Sequence, residues 1–438
     1  MTARELAFNI LKTAFRGATY SNIAIDNALK KNELSNADAG LLTAIVMGVT
    51  ERRLTLDYII DRLSSRPDEV EVDTRILLQM GIYQVTYLDR IPEYAAVNET
   101  VDLAPRRSRG FVNAVMRSYL RKKKSGELSQ LFPSEESDPV DYLSVYYSFP
   151  KDACESFLSI YGLERTKKIF EAFNKPPRLT LRINTLKISR EDYAEFLDEK
   201  EIKYILSERL ENAIILENVS FTALPGFDEG YFFVQDEASQ VCVEAIDAKP
   251  DMLMIDACSC PGSKSFGSAI KMENRGKILS YDLHESKLKL IDKSAERLGI
   301  SIITASVRDG RLLDEGLIGQ ADRVLCDVPC SGLGVLSKKP DLRYKDLSTL
   351  LDLPALQYSI LSASARYLRV GGELVYSTCT LNKAENEDVV SRFVSENPEY
   401  SLVDFEIGKY KSCKGMFTIY PDLHNSDGFF ISKIVRNK

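Results

Sequence analysis

Apolar runs at 252–256, 277–281, 301–305, 323–327 and 373–377 are separated by amphipathic stretches such as "ESKLKLIDKSAERLG" and "LPALQYSILSASARYL". This alternation constrains the chain more than any other feature. Short runs that are apolar on both faces suit strands buried on both sides, and helix-length connections between them favour parallel pairing. The expected fold class is α/β, a doubly wound Rossmann-like sheet over residues 231–438, with ligands bound beyond the carboxyl ends of its strands. A final pair, "MFTIY" and "GFFISKIV", is expected to close the sheet with an antiparallel edge.

The rest of the 438 residues needs further domains, because one ordinary core does not grow that large. Residues 1–124 carry helical periodicity: Leu6, Ala7, Ile10, Leu11, Ala14 and Phe15, then Leu41, Leu42, Ile45, Val46 and Val49 behind the cap signal Ser35-x-x-Asp38. An all-α helical domain is expected there. Residues 125–142, "SGELSQLFPSEESDPVDY", are rich in Ser, Pro and acids without periodicity, and are expected to be a linker. Residues 143–230 mix helix ("CESFLSIYGLERTKKIFEAF", "SREDYAEFLDEK" capped by Ser189) with strand ("RLTLRINTL", "AIILE"), giving a small α+β module.

Composition excludes several classes. The chain is 44% apolar and 28% charged, as in soluble globular proteins. Thr2-x-x-Glu5 resembles a helix capping box rather than a signal peptide, and no stretch approaches the roughly 20 apolar residues of a membrane span, so a cytoplasmic, monomeric protein without membrane contact is expected. Eight cysteines are too sparse for a disulfide scaffold and should be free thiols. Cys258-x-Cys260 and Cys326-x3-Cys330 lack the C-x2-C spacing of zinc sites, so no metal is expected. A formal charge of −7 argues against indiscriminate nucleic-acid binding. Between Pro105 and Lys124, however, Arg106, Arg107, Arg109, Arg117, Arg121, Lys122, Lys123 and Lys124 sum to +8 with no acid among them, which favours a polyanionic partner.

The polar residues at the strand ends define a candidate site. The first strand exits at Asp256 into Ala257-Cys258-Ser259-Cys260-Pro261-Gly262-Ser263-Lys264. This is neither a phosphate loop nor a dinucleotide fingerprint, yet its glycine permits a close backbone approach, and the following helix offers free N–H groups. Asp282 ends the second strand, where a carboxylate suits the two hydroxyls of a ribose. Asp309, in "VRDGR", follows the third and is expected to meet an adenine amino group. Three acids in register with three strand ends point to an adenosine ligand without a phosphate. The fourth and fifth strands place thiols in the same crevice, Cys330 after Asp327 and Cys379 after "ELVYST".

"DACSCPGSK", "CDVPCSG" and "VYSTCTLNKAENE" resemble the signature motifs of the RNA cytosine-C5 methyltransferases, and "IPEYAAVNETVDLA" with "GFVNAVMRSYLR" resembles the NusB-like RNA-binding domain fused to one branch of that family. The bacterial RsmB/Fmu (Sun) type, which modifies 16S ribosomal RNA, is the nearest in pattern. The resemblance spans nearly the whole chain. It implies S-adenosyl-L-methionine as cofactor and free or partly assembled 16S ribosomal RNA as partner, with cytosine 967 as the target by family name. Carried over by residue, Cys258 to Lys264 with Asp282, Asp309 and Asp327 would hold the cofactor, Cys379 would be the nucleophile, and Cys330 the thiol that assists product release. Two departures stand out. Ser263 replaces a glycine, costing about 1 kcal/mol if that position needs a left-handed backbone, and Lys339-Pro340-Asp341 replaces His-Pro-Asp.

The chemistry explains both thiols. Cytosine C5 is a poor nucleophile; a thiolate adding at C6 makes an enamine whose C5 attacks an electrophilic methyl. The adduct collapses only when the C5 proton leaves and the C–S bond breaks, and cysteine is both a strong nucleophile and a good leaving group. Asp327, if buried and raised in pKa, would share a proton at N3, and Lys264 would lend positive charge to the thiols. The rival readings are a C5 methyltransferase for another rRNA or tRNA cytosine, a DNA or protein methyltransferase, and a non-catalytic ribosome-assembly protein that binds RNA.

Overall fold

The computed structural model describes residues 1–216 and 224–438. These pack into two compact units, one of Met1–Lys175 with Leu336–Leu347, the other of Pro176–Val335 with Ser348–Lys438. The expected α+β module and its strand "AIILE" run into 217–223, which lie outside the described residues. Among the described residues no helix is long and apolar enough to cross a membrane.

The first unit is helical: α1 (Ala3–Ala14), α2 (Ser21–Lys31), α3 (Asn36–Glu51), α4 (Arg53–Leu63), α5 (Val72–Tyr87), α6 (Glu93–Leu103) and α7 (Arg109–Ser125) close over a core that includes Leu11, Leu42, Val46, Leu56 and Leu78. The capping box of α1 forms as expected, the Thr2 hydroxyl accepting from Glu5 N–H while the Glu5 carboxylate accepts from Thr2 N–H. The Ser35 hydroxyl caps α3 in the same way by accepting from Asp38 N–H.

This unit does not end near residue 124. It continues through α8 (Pro139–Tyr147), α9 (Lys151–Tyr161) and α10 (Leu163–Phe173), and the expected linker carries a short 3-10 turn at Glu127–Leu131. The reason is packing. Thr55 donates to the Val145 carbonyl at 2.6 Å, and Phe149 stacks on Phe170 at 3.8 Å. Segment 336–347 joins the same unit through Arg343, which is 3% exposed, donates to the Glu51 and Phe173 carbonyls and lies 4.3 Å over the Phe149 ring. Asp341, from the departed Lys-Pro-Asp motif, accepts from the Ser21 hydroxyl at 2.8 Å.

Part of the cationic charge of 105–124 is balanced from outside the segment. Acids outside the block meet it: Glu71 pairs with Arg107 at 2.8 Å, Glu127 with Lys122 at 3.1 Å and Glu93 with Lys123 at 3.1 Å. Arg106, Arg109, Arg117 and Arg121 remain exposed and without an ion pair among the described residues. A smaller cationic face survives.

In the second unit, β1 (Leu179–Ile183), α11 (Arg190–Glu199), β2 (Tyr204–Leu206), β3 (Ala213–Leu216) and β4 (Phe232–Val234) form a small antiparallel sheet in the order β2-β3-β1-β4 with α11 capped by Ser189. Then come α12 (Glu237–Ile246), β5 (Leu253–Asp256), α13 (Ser263–Lys271), β6 (Lys277–Asp282), α14 (Glu285–Leu298), β7 (Ile303–Val307), β8 (Ala321–Asp327), α15 (Leu353–Ala365), β9 (Leu368–Thr378), α16 (Glu387–Glu396) and β10 (Tyr400–Leu402). A two-stranded hairpin of β11 (Glu406–Ile407) and β12 (Tyr410–Lys411) precedes β13 (Met416–Ile419) and β14 (Phe429–Arg436).

The main sheet has the order β10-β14-β9-β8-β5-β6-β7, parallel from β9 to β7 and antiparallel where β14 joins β9. All the expected strands are present. The third starts two residues late, because Asn274 takes the Ser301 N–H and the ladder begins with Ile303 opposite Ile278. Residues Met254, Ile255, Ile278, Val324, Leu325, Leu374 and Val375 are fully buried, as strands covered on both faces require. The chain reverses direction across the sheet between β5 and β8, so the ends of these strands open a crevice.

Candidate active site

Register brings the strand ends together. Asp256 lies opposite Leu325 on one side and Ser280 on the other, and Asp327 lies opposite Ser377. The loop after β5 folds back onto β6, with Ser259 donating from both N–H and hydroxyl to the Tyr281 carbonyl at 2.8 and 3.1 Å. Gly262 then starts α13 with φ of +101°, and an added Cβ would meet Phe266 at 2.5 Å, so only glycine fits there. Ser263 has no positive φ and is the first helical residue, so its replacement of a glycine carries no backbone strain. Burial pushes the Cys258 thiol well up and the Cys260 thiol up, which disfavours both as thiolate ligands. Among the described residues no group of three or more His, Cys, Asp and Glu is arranged to hold a metal ion.

The chemistry-bearing side chains fall into two contacts. Lys264, the second residue of α13, places its Nζ 2.6 Å from Asp327 Oδ2, and the Ser377 hydroxyl donates to Asp327 Oδ1 at 2.8 Å. Burial alone would lower the Lys264 ammonium, but the Asp327 carboxylate outweighs it and holds the lysine above its ordinary range. Asp327 is thus half-buried in an ion pair, so the burial on which a shared proton at N3 depends is partial. The second contact joins the thiols: Cys330 Sγ and Cys379 Sγ are 3.2 Å apart. The hydrogen bond to Cys379 and burial hold the Cys330 thiol well above the usual thiol range, and either sulfur can donate across the contact. Lys264 also feels Cys379 electrostatically, which adds positive charge on the same side.

Sequence reasoning missed the groups that hold these contacts. Gly334 N–H donates to the Cys379 carbonyl at 2.9 Å, and an added Cβ at Gly334 would fall 1.9 Å from the Gly428 carbonyl oxygen. The backbone of the "PCSGLG" loop therefore sits directly against the end of β9. The signal was the second glycine of that run.

The three strand-end acids have different surroundings. Asp282 is 12% exposed, with Oδ1 accepting from His284 N–H at 2.9 Å and lying 3.7 Å from Lys287 Nζ. Its loop abuts that of Cys260, whose thiol donates to the Lys287 carbonyl at 3.9 Å. Asp309 is gripped by Arg311, which reaches its two oxygens at 2.6 to 3.1 Å, so the carboxylate expected for an adenine amino group is already engaged. Asp256 turns inward. It is 1% exposed, and its Oδ2 accepts from the Ser265 hydroxyl at 2.6 Å.

Burial pushes the Asp256 carboxyl up to about 7. The folded state therefore holds this proton to a higher pH than the unfolded chain, and stability falls as pH rises from about 4 to about 7. Asp256→Asn removes the titration and should flatten that slope in chemical denaturation, whereas an unchanged slope would assign it to other groups.

The glycine-only turn, the start of α13 and Asp282 lie at the ends of the neighbouring strands β5 and β6. The comparisons with known proteins agree in outline. Residues 243–435 match the 16S rRNA methyltransferase RsmB/F model, 1–121 the NusB family and 149–221 the RsmF/B-like ferredoxin-like domain. Over its full length the chain is similar to the probable ribosomal RNA small subunit methyltransferase B of Synechocystis (37% identity, 99% of each chain) and that of Bacillus subtilis (36%, 98% of each). Among solved structures it is similar to PH0851 (TM-score 0.80, 26% identity, 99% of this chain and 98% of that one). It is also similar to a methyltransferase homologue from Pyrococcus horikoshii (TM-score 0.61, 27% identity, 68% of this chain and 99% of that one).

Proposed function

Since the chain belongs to the RsmB/F family of S-adenosylmethionine-dependent 16S rRNA methyltransferases, we propose that it methylates C5 of a cytosine in 16S ribosomal RNA through a covalent cysteine–C6 adduct. By family name the target is cytosine 967. The observation that carries this reading is the pair of thiols 3.2 Å apart beside the Lys264–Asp327 pair. One thiol suffices for nucleophilic addition; two at contact distance suit a reaction in which the first must also be released.

In this mechanism the loop Cys258 to Ser263, the start of α13 and Asp282 would hold S-adenosyl-L-methionine, while Asp309 stays engaged by Arg311. The bound cofactor supplies a sulfonium methyl. Cys379 adds to C6 and raises electron density at C5, which takes the methyl. Asp327 orients the base, and its protonated partner Lys264 supplies positive charge where the ring accumulates negative charge. Cys330, placed against Cys379, assists the step in which a water acting as base takes the C5 proton, the C5=C6 bond re-forms and the C6–S electron pair leaves on Cys379. The cationic residues Arg106, Arg109, Arg117 and Arg121 hold the RNA backbone. The protein acts in the cytoplasm, as a monomer, on free or partly assembled RNA.

Mapping 5-methylcytosine in all cellular RNA with and without the gene tests the proposal. Loss of methylation at one 16S position supports it. Loss at another rRNA or a tRNA position moves the target, and no loss, or transfer of labelled methyl to DNA or protein, overturns it. Asp282 gives a finer check. Asp282→Ala removes a charged acceptor worth roughly 1.5–3 kcal/mol, so the S-adenosylmethionine Kd should rise about ten- to a hundredfold by calorimetry. Unaltered affinity would make this acid a loop-ordering group only.

A further inference from the structure

Glu385 is fully buried, with no exposed surface, and has no cationic partner among the described residues. A bare carboxylate in such a place requires donors. It has three. Its Oε2 accepts from the Ser331 backbone N–H at 2.9 Å and from Gln357 Nε2 at 2.9 Å, and its Oε1 accepts from Asn382 Nδ2 at 3.0 Å. Ser331 follows Cys330 in the chain, and Asn382 is three residues beyond Cys379. Gln357, from α15, also donates to the carbonyl of Pro329, the residue before Cys330. One carboxylate therefore reaches both sides of the "PCSG" turn and the exit of β9.

Neighbouring bonds run the same way. The Ser331 and Thr380 hydroxyls are 2.7 Å apart, the Tyr376 hydroxyl donates to the Glu385 carbonyl at 2.6 Å, and Asn386 donates to the Thr380 carbonyl at 3.0 Å. These contacts fix two loops to each other at the residues adjoining the two thiols. The carboxylate charge also adds to the forces that keep Cys330 protonated.

We infer that Glu385 is a positioning residue for the two-thiol chemistry, clamping the Cys330 turn to the Cys379 strand exit so that Cys330 reaches the adduct. This rests on the proposed function. Glu385 touches no reacting atom; its effect passes through the Ser331 amide. Loss of the clamp lets the "PCSG" turn move while Cys379 stays fixed by β9. Addition and methyl transfer then continue, and release slows.

The test uses the full-length protein, 16S RNA and S-adenosylmethionine, with Cys330→Ala as the reference. Glu385→Ala should turn over about tenfold or more slowly, with the cofactor Kd within about twofold of wild type, and should accumulate the denaturation-resistant protein–RNA species that Cys330→Ala gives. Glu385→Gln, which keeps an acceptor for Ser331 and Gln357 if Asn382 turns its amide over, should restore most of the turnover. Gln357→Leu, which leaves the carboxylate but removes one tether, serves if Glu385→Ala does not fold, and should trap the same species more weakly. A folded Glu385→Ala that turns over normally, or loses turnover without trapped species while Cys330→Ala traps, overturns the clamp alone. If Cys330→Ala itself traps nothing, the division of labour between the thiols fails and the clamp falls with it.

Discussion

Cys379→Ala should bind RNA and cofactor yet lose methyl transfer by roughly a thousandfold or more, while Cys330→Ala should accumulate a covalent protein–RNA species that survives denaturing electrophoresis. The difference follows from the 3.2 Å contact, which puts Cys330 within reach of an adduct on Cys379. Without Cys379 no C6 adduct forms. Without Cys330 the addition proceeds, but the releasing step loses its neighbour, so the trapped species should disappear in the double variant. If both cysteines merely pack a strand end, each change costs only a modest loss of stability and neither traps RNA. Trapping in Cys379→Ala but not in Cys330→Ala would reverse the roles. Gel shift with labelled RNA and labelled cofactor separates these outcomes.

Much of this site was legible because its determinants are local. Strands β5, β6, β8 and β9 announce themselves as apolar runs, and the residues at their ends must lie along one edge. Thr2, Ser35 and Ser189 cap their helices through bonds spanning three residues, which a sequence pattern shows directly. What was not legible depends on partners far apart in sequence or on which way a side chain turns. Asp256 ends its strand as expected, yet it points inward to Ser265 because the pleat at that position faces α13. The basic block met Glu71, the cap residue before α5, and Glu93 of α6, and Arg343 crossed about 290 residues to reach Glu51. Glu385 stood inside a quoted motif, but its use as an anion for two loops depends on the burial around it.

The Lys264–Asp327 pair carries the other large expected effect, because it is both an electrostatic element of the site and a partly desolvated ion pair. The two side chains are 11% and 28% exposed and 2.6 Å apart. Asp327→Ala leaves a nearly buried ammonium facing the Ser377 hydroxyl and the Phe429 ring, and breaking such a pair costs about 3 kcal/mol or more. Methyl transfer should fall in parallel, by a hundredfold or so, because the base loses both its orienting carboxylate and a well-placed cation. These two losses are separable. Adding Lys264→Met to Asp327→Ala removes the unpaired charge, since replacing both partners of a buried pair is often neutral, and most of the lost stability should return in denaturant titration. Activity should not return with it. A double variant that recovered both would make the pair a structural brace, and the charge acting on the pyrimidine would have to come from elsewhere in the crevice. A double variant that recovered stability and stayed inactive, with cofactor affinity intact, would assign the pair to the methyl-transfer step itself, since only an interaction made in the transition state lowers turnover without altering binding.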